Sequence, residues 1–113
     1  MILLIGALLG FISVAFGAFA EHGLKDTISE EHFRFLMTAV RYNQIHSVII
    51  VAIGLSTRAG GYWCNIPQLN WAGSVFIIGT ILFSFSIYLS VSLQVPLLLN
   101  LTPLGGITIM LGW

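Results

Sequence analysis

The sequence predicts an all-α integral membrane protein, a bundle of four transmembrane helices whose last helix is incomplete in this chain. Three observations lead there. Met1–Ala20, Ile45–Thr57, Trp71–Val91 and Val95–Trp113 contain no Asp, Glu, Lys or Arg, and a helix needs about 20 apolar residues to cross a hydrocarbon core of roughly 30 Å. The 113 residues are 58% hydrophobic and 7% charged, more apolar surface than a soluble domain of this size hides. Small residues also recur at helical spacing through the first run, the pattern of close-packed membrane helices.

The first helix is expected over about residues 2–20, with Gly6, Gly10, Ser13 and Gly17 along one packing seam. Ala18-Phe19-Ala20 before Glu21 imitates a small-x-small cleavage site. No Lys or Arg precedes the run, however, and it is longer than a typical signal-peptide core, so it is read as a retained helix. Glu21–Thr27 is a polar exit. Thr27-Ile28-Ser29-Glu30 reads as a capping box opening a second helix over about 30–57, with Glu30 and Glu31 where the helix dipole favours anions. Phe33, Leu36, Met37 and Val40 share one face, which continues as Asn43, Gln44 and Ser47. Glu30, Arg34 and Arg41 take the opposite side, with Glu30 and Arg34 spaced as an i,i+4 pair.

Thr57–Gly61 ends the second span, and Tyr62, Trp63, Pro67 and Trp71 form a loop with an aromatic interface belt. The third helix is expected over 71–91, then a turn at Ser92–Pro96. The fourth is expected over about 97–113, with Thr102 as N-cap and Pro103 in the first helical position. From Pro103 to Trp113 an α-helix covers only about 16 Å, half a bilayer. Either the span begins near Val95 with Pro103 as a kink, or the chain stops early; the early stop is the expectation. Residues 1–113 are read as one multi-pass membrane domain.

Successive spans alternate direction, so His22, Arg41, Tyr42, Gln44, His46, Ser84, Ser86, Tyr88 and Thr102 are expected to meet at one membrane face. Intramembrane ionisable groups suggest function. The plainer reading is packing: Ser, Thr, Asn and Gln join membrane helices at about 0.6 kcal/mol each, and Arg41 and His22 snorkel to headgroups. Packing and anchoring outweigh transport or binding. A metal site weighs least, because Glu21-His22, Glu31-His32 and His46 lack a tight ligand spacing. Gly79, Gly105 and Gly106 are read as close helix packing. No Ser–His–Asp set, phosphate loop or catalytic carboxylate pair stands out, so neither an enzyme nor a cofactor is expected. Zero net charge with four Lys and Arg argues against a nucleic-acid partner. Cys64 is alone and forms no internal disulfide.

Four blocks of this chain resemble the family called domain of unknown function 423, which includes bacterial YgdD-like proteins and eukaryotic transmembrane protein 256. They are Gly17-Ala18-Phe19-Ala20-Glu21-His22 with Gly23-Leu24; Tyr42-Asn43-Gln44-Ile45-His46 preceded by Thr38-Ala39; Gly79 through Leu82-Phe83-Ser84-Phe85-Ser86-Ile87-Tyr88; and Thr102-Pro103-Leu104-Gly105-Gly106 with Gly112-Trp113. The blocks occur in order over nearly the whole chain; each is weak, and together they are specific. Glu21 departs from the small residue usual there. Phe85 replaces a usual Gly, which implies looser packing of the third helix. Members continue past Gly-Trp, often with a basic tail. The resemblance implies a small multi-pass protein of the bacterial inner (plasma) membrane or its eukaryotic counterpart, and brings no activity with it.

The expected function is non-enzymatic, structural or accessory to a partner. The alternative is a proton-coupled or small-solute conduit with His46 and His22 titrating, Tyr42 and Tyr88 hydrogen-bonding and Arg41 binding an anion; a membrane enzyme comes third. Expected partners are the lipid bilayer, a second copy packed through the glycine seams, and a membrane protein. Lys25, Arg34 and Arg41 against Arg58 place the polar end in the cytoplasm by the positive-inside rule, a count that a basic tail on the opposite side would reverse.

Overall fold

The computed structural model describes all of Met1–Trp113, and its regular structure is entirely helical. Helix α1, Ile2–Leu24, is α-helical to Phe19 and closes in a π-turn over Ala20–Leu24. The polar exit expected at Glu21 is therefore still helix. Thr27 Oγ1 donates to the Leu24 carbonyl at 3.0 Å, so Thr27 closes α1 and does not open the next helix. That cap is Ser29, whose backbone is extended (φ −65°, ψ 155°) and whose Oγ accepts from the His32 N–H at 3.2 Å. An N-cap needs this non-helical conformation, and Thr27 is already engaged upstream. Glu30 and Glu31 do lie in the first turn. Glu30 and Arg34 form no ion pair; the single pair of the chain is Lys25–Glu21 at 3.6 Å, on the exposed end of α1.

Helix α2, Glu30–Arg58, ends where Gly60 and Gly61 take φ of 78° and 82°, a left-handed exit that costs a glycine little because it has no Cβ. After a 3₁₀ turn at Tyr62–Asn65, helix α3 runs Pro67–Leu93. It starts at Pro67 and not at the predicted Trp71, because proline's fixed φ suits the first turn, where its missing N–H needs no partner. A π-turn interrupts α3 at Ile81–Phe85. Gln94, at φ 55°, ends it, and the N–H groups of Gln94 and Val95 both reach the Ser90 carbonyl.

Helix α4, Pro96–Gly112, is 3₁₀ over Pro96–Leu101 and α-helical from Thr102. Thr102 is thus not a cap. Its backbone is already helical (φ −59°, ψ −46°), since the 3₁₀ turn feeds the chain directly into the α-helix. α1, α2 and α3 are long and apolar enough to cross a membrane; α4 is a shorter apolar helix. Four helices are thus present, three of spanning length and the fourth shorter, as expected of an incomplete last helix.

Close approaches between backbones set the packing. A Cβ on Gly6 would come 2.8 Å from Ile50 Cγ2, and one on Gly54 would come 2.7 Å from Leu3 Cα. Those pairs, with Gly17 on Val40, run α1 antiparallel to α2. α4 lies against α3 in the same way: a Cβ on Gly79 would come 2.8 Å from Ile109 N, and one on Gly105 would overlap the Phe83 backbone nitrogen. Gly10 and Gly106 are different. Their added Cβ atoms would find ordinary contacts, at 3.6 Å from Ser47 Cβ and 3.9 Å from the Phe83 ring, so neither fixes a crossing. Two apolar clusters fill the interior. Ala20, Leu36, Ala39, Val40, Ile87, Tyr88 and Val91 pack at the end near Ser29, and Leu9, Ile50, Phe76 and Ile109 at the other.

Candidate functional site

α2 presents Leu36, Ala39, Val40, Asn43, His46, Ser47, Ile50 and Gly54 inward, a stripe at three- and four-residue spacing. That phase decides the fate of every polar residue on the helix. Asn43 and Ser47 lie on the stripe and are buried, whereas Arg41 and Gln44 lie off it and are exposed. The polar residues expected at one face therefore do not form one cluster. They separate into four groups.

The deepest joins α2 to α3. Asn43 Nδ2 donates to Tyr88 Oη at 3.2 Å, and Ser47 Oγ donates to the Asn43 carbonyl and lies 3.2 Å from Asn43 Oδ1. Ser84 Oγ donates to the Ala39 carbonyl at 3.0 Å. The Tyr88 ring stacks on Phe16 of α1, with centroids 4.0 Å apart and planes at 16°. Three helices thus meet around one phenol. The second group joins α3 to α4, where Ser86 Oγ and Thr102 Oγ1 lie 2.8 Å apart and Ser86 also reaches the Phe83 carbonyl at 2.9 Å.

The third is His46, buried at 4% exposure. Its Nδ1 lies 2.8 Å from the Tyr42 carbonyl oxygen. A carbonyl only accepts, so Nδ1 carries the hydrogen of this bond. Tyr42, Phe76 and Trp113 surround the ring at centroid distances of 5.9, 5.7 and 6.5 Å. Tyr42 also packs on Phe83 at 4.7 Å. The fourth group, His22, Arg41 and Gln44, lines an open groove between α1 and α2, together with Glu21. It shares no hydrogen bond with the other three.

Asn43, Ser47 and Thr80 lie outside the predicted set. The inward stripe of α2 is the signal for the first two, since their spacing from Leu36 and Val40 is that of the core. Thr80 is fully buried, and its Oγ1 is the one buried side-chain polar atom without a partner. It sits one turn from Phe76 and one from Ser84, at the entry to the π-turn of α3. No set of three or more His, Cys, Asp or Glu side chains converges.

The family profile described as "Protein of unknown function (DUF423)" matches residues 16–106. A UPF0382 membrane protein of Staphylococcus aureus is 34% identical over 113 residues, covering 100% of this chain and 88% of its own. The UPF0382 membrane protein YwdK of Bacillus subtilis is 30% identical over 112 residues, covering 98% and 88%. The UPF0382 inner membrane protein YgdD of Escherichia coli is 30% identical over 112 residues, covering 98% and 82%. No solved structure matches the chain.

Proposed function

The chain belongs to the DUF423 family, and from that premise we propose that it is a multi-pass protein of the inner (plasma) membrane that acts as a non-catalytic bundle, accessory to a partner membrane protein. The single observation that carries this reading is that its buried polar side chains, Thr80 excepted, find their partners within the chain. Asn43, Ser47, Tyr88, Ser84, Ser86 and Thr102 all bond within the chain. Groups engaged in this way tie helices together; a conduit or catalyst needs groups left free for its substrate. The outer surface supports the membrane setting: Phe11, Val48 and Met110 are 73%, 70% and 67% exposed, a surface that hydrocarbon tolerates and water penalises.

A second reading has one observation in its favour. His46 is enclosed, and Thr80 Oγ1 is unpartnered one turn from Phe76, which touches the His46 ring. A proton path would need an unsatisfied buried hydroxyl of this kind. Copurification in mild detergent tests the leading reading. The expected result is one membrane protein captured at fixed stoichiometry, and an empty pull-down contradicts it.

A further inference from the structure

Two cavities on the outer face of α1 and α2 meet end to end. One, of about 430 Å³, is lined by Gly6, Ala7, Gly10, Phe11, Val48 and Val51 among others. The next, of about 390 Å³, contains His22, Arg41 and Glu21. Val14 and Gln44 belong to both, so they form one groove, apolar at one end and carrying Arg41, His22 and Glu21 at the other.

Charge sets what this groove accepts. Glu21 is paired with Lys25. Arg41 has no ion pair and no side-chain hydrogen bond within the chain, although it lies among the apolar residues of α2 and is exposed. It stands 17 residues before Arg58, about 25 Å along the helix, close to the roughly 30 Å thickness of a hydrocarbon core, so the two long side chains reach opposite edges of it. Arg41 is therefore at the headgroup boundary. From Gly17, level with Val40, down to Gly6 is about 16 Å, the depth of one leaflet.

We propose that this groove binds one anionic phospholipid, its phosphate held by Arg41 with His22 beside it and one acyl chain lying against Ala7, Gly10 and Val48. A guanidinium fork matches phosphate oxygens in a bidentate way, and basic pockets between membrane helices select anionic headgroups. A second helix is the other natural occupant of a groove with small residues. Gly6 and Gly17, however, are already taken up by Ile50 and Val40 of α2, and a helix offers no anion for Arg41. The inference rests on the reading of the chain as a membrane-spanning accessory bundle, and it names a lipid that such a bundle holds.

The test is native mass spectrometry of the full chain released from detergent after exposure to phosphatidylglycerol or phosphatidylcholine. Wild type is expected to retain one phosphatidylglycerol with about tenfold preference, equivalent to about 1.4 kcal/mol. Arg41→Gln should lose the preference, and Arg41→Lys should keep part of it. Ala7→Phe, which adds its ring from an exposed position into the apolar end, should lower retention of both lipids. Equal retention of the two lipids by wild type, or an undiminished preference in Arg41→Gln, overturns the proposal. So does a disulfide joining two copies through Ala7→Cys in vesicles, which would assign the groove to a second chain. Partner capture is measured on the same wild-type sample. Equal lipid retention with the partner still captured overturns the lipid alone; lipid selectivity with an empty pull-down overturns the accessory reading alone.

Discussion

Replacing Tyr88 with Phe removes one oxygen and little else, and so isolates the polar contact at the centre of the bundle. The ring stays stacked on Phe16 at 4.0 Å. Tyr88 is only 4% exposed and Asn43 not at all, so no solvent stands by to replace the lost partner. The Asn43 carbonyl oxygen Oδ1 keeps Ser47, but Nδ2 keeps nothing, its bond at 3.2 Å having been to Tyr88. In a water-soluble core such an orphan costs about 1–3 kcal/mol. In membranes the unfolded reference also finds partners, and interhelical bonds average about 0.6 kcal/mol with a maximum near 1.7. Because this amide is fully enclosed, Tyr88→Phe should cost about 1–1.7 kcal/mol, the upper part of that range. Reversible unfolding in mixed micelles measures it, with Asn43→Ala closing a double-mutant cycle. Most of the loss should vanish in the Asn43→Ala background. A cost or coupling below about 0.3 kcal/mol, inside the additivity error of such cycles, would refute the reasoning.

Neighbouring glycines give a paired expectation. Gly105→Ala drives a Cβ into the Phe83 backbone and should cost about 1–3 kcal/mol or more, seen as a lower thermal midpoint in detergent; Gly106→Ala, with 3.9 Å of room, should leave it unchanged. Equal effects at the two positions would show that α4 does not pack on α3 as described. Thr80→Val keeps the shape and removes the orphan hydroxyl, so stability should hold or rise. A fall beyond about 1 kcal/mol would mean that an ordered water or ligand occupies that hydroxyl. Ser29→Ala should lose about 0.5–2 kcal/mol of cap energy and Thr27→Ala less, a ranking that exchange of the His32 amide reads directly; the reverse ranking would put the cap back at Thr27.

The helices were legible because charge-free runs and small-residue spacing are local properties of the chain. Their ends were less so. Thr27 and Ser29 are equally good caps by composition, and only the bond from Thr27 to Leu24 decides between them. Pro67 looked like a loop residue among Tyr62, Trp63 and Trp71, although its preset φ makes it the first residue of α3. The candidate site was legible as a collection of polar residues and not as an arrangement. Alternating spans place those residues at similar depth, but helical phase turns Asn43 inward and Arg41 outward. Phase within α2 is readable from Leu36, Val40 and Ile50. Which partner waits on α3 or α4, as Thr102 does for Ser86, depends on how the helices cross. The π-turn at Ile81–Phe85 further shifts the phase of α3 midway, and no residue pattern there announces it.

On the function proposed for it, the polar interior of this bundle joins helices and carries nothing through. Proton flux in proteoliposomes, compared between wild type and His46→Ala, tests that most directly. Wild type should leak no faster than empty vesicles across a pH gradient, and His46→Ala should match it. A pH-dependent flux in wild type that disappears in His46→Ala would contradict the account and make the His46 enclosure a conduit.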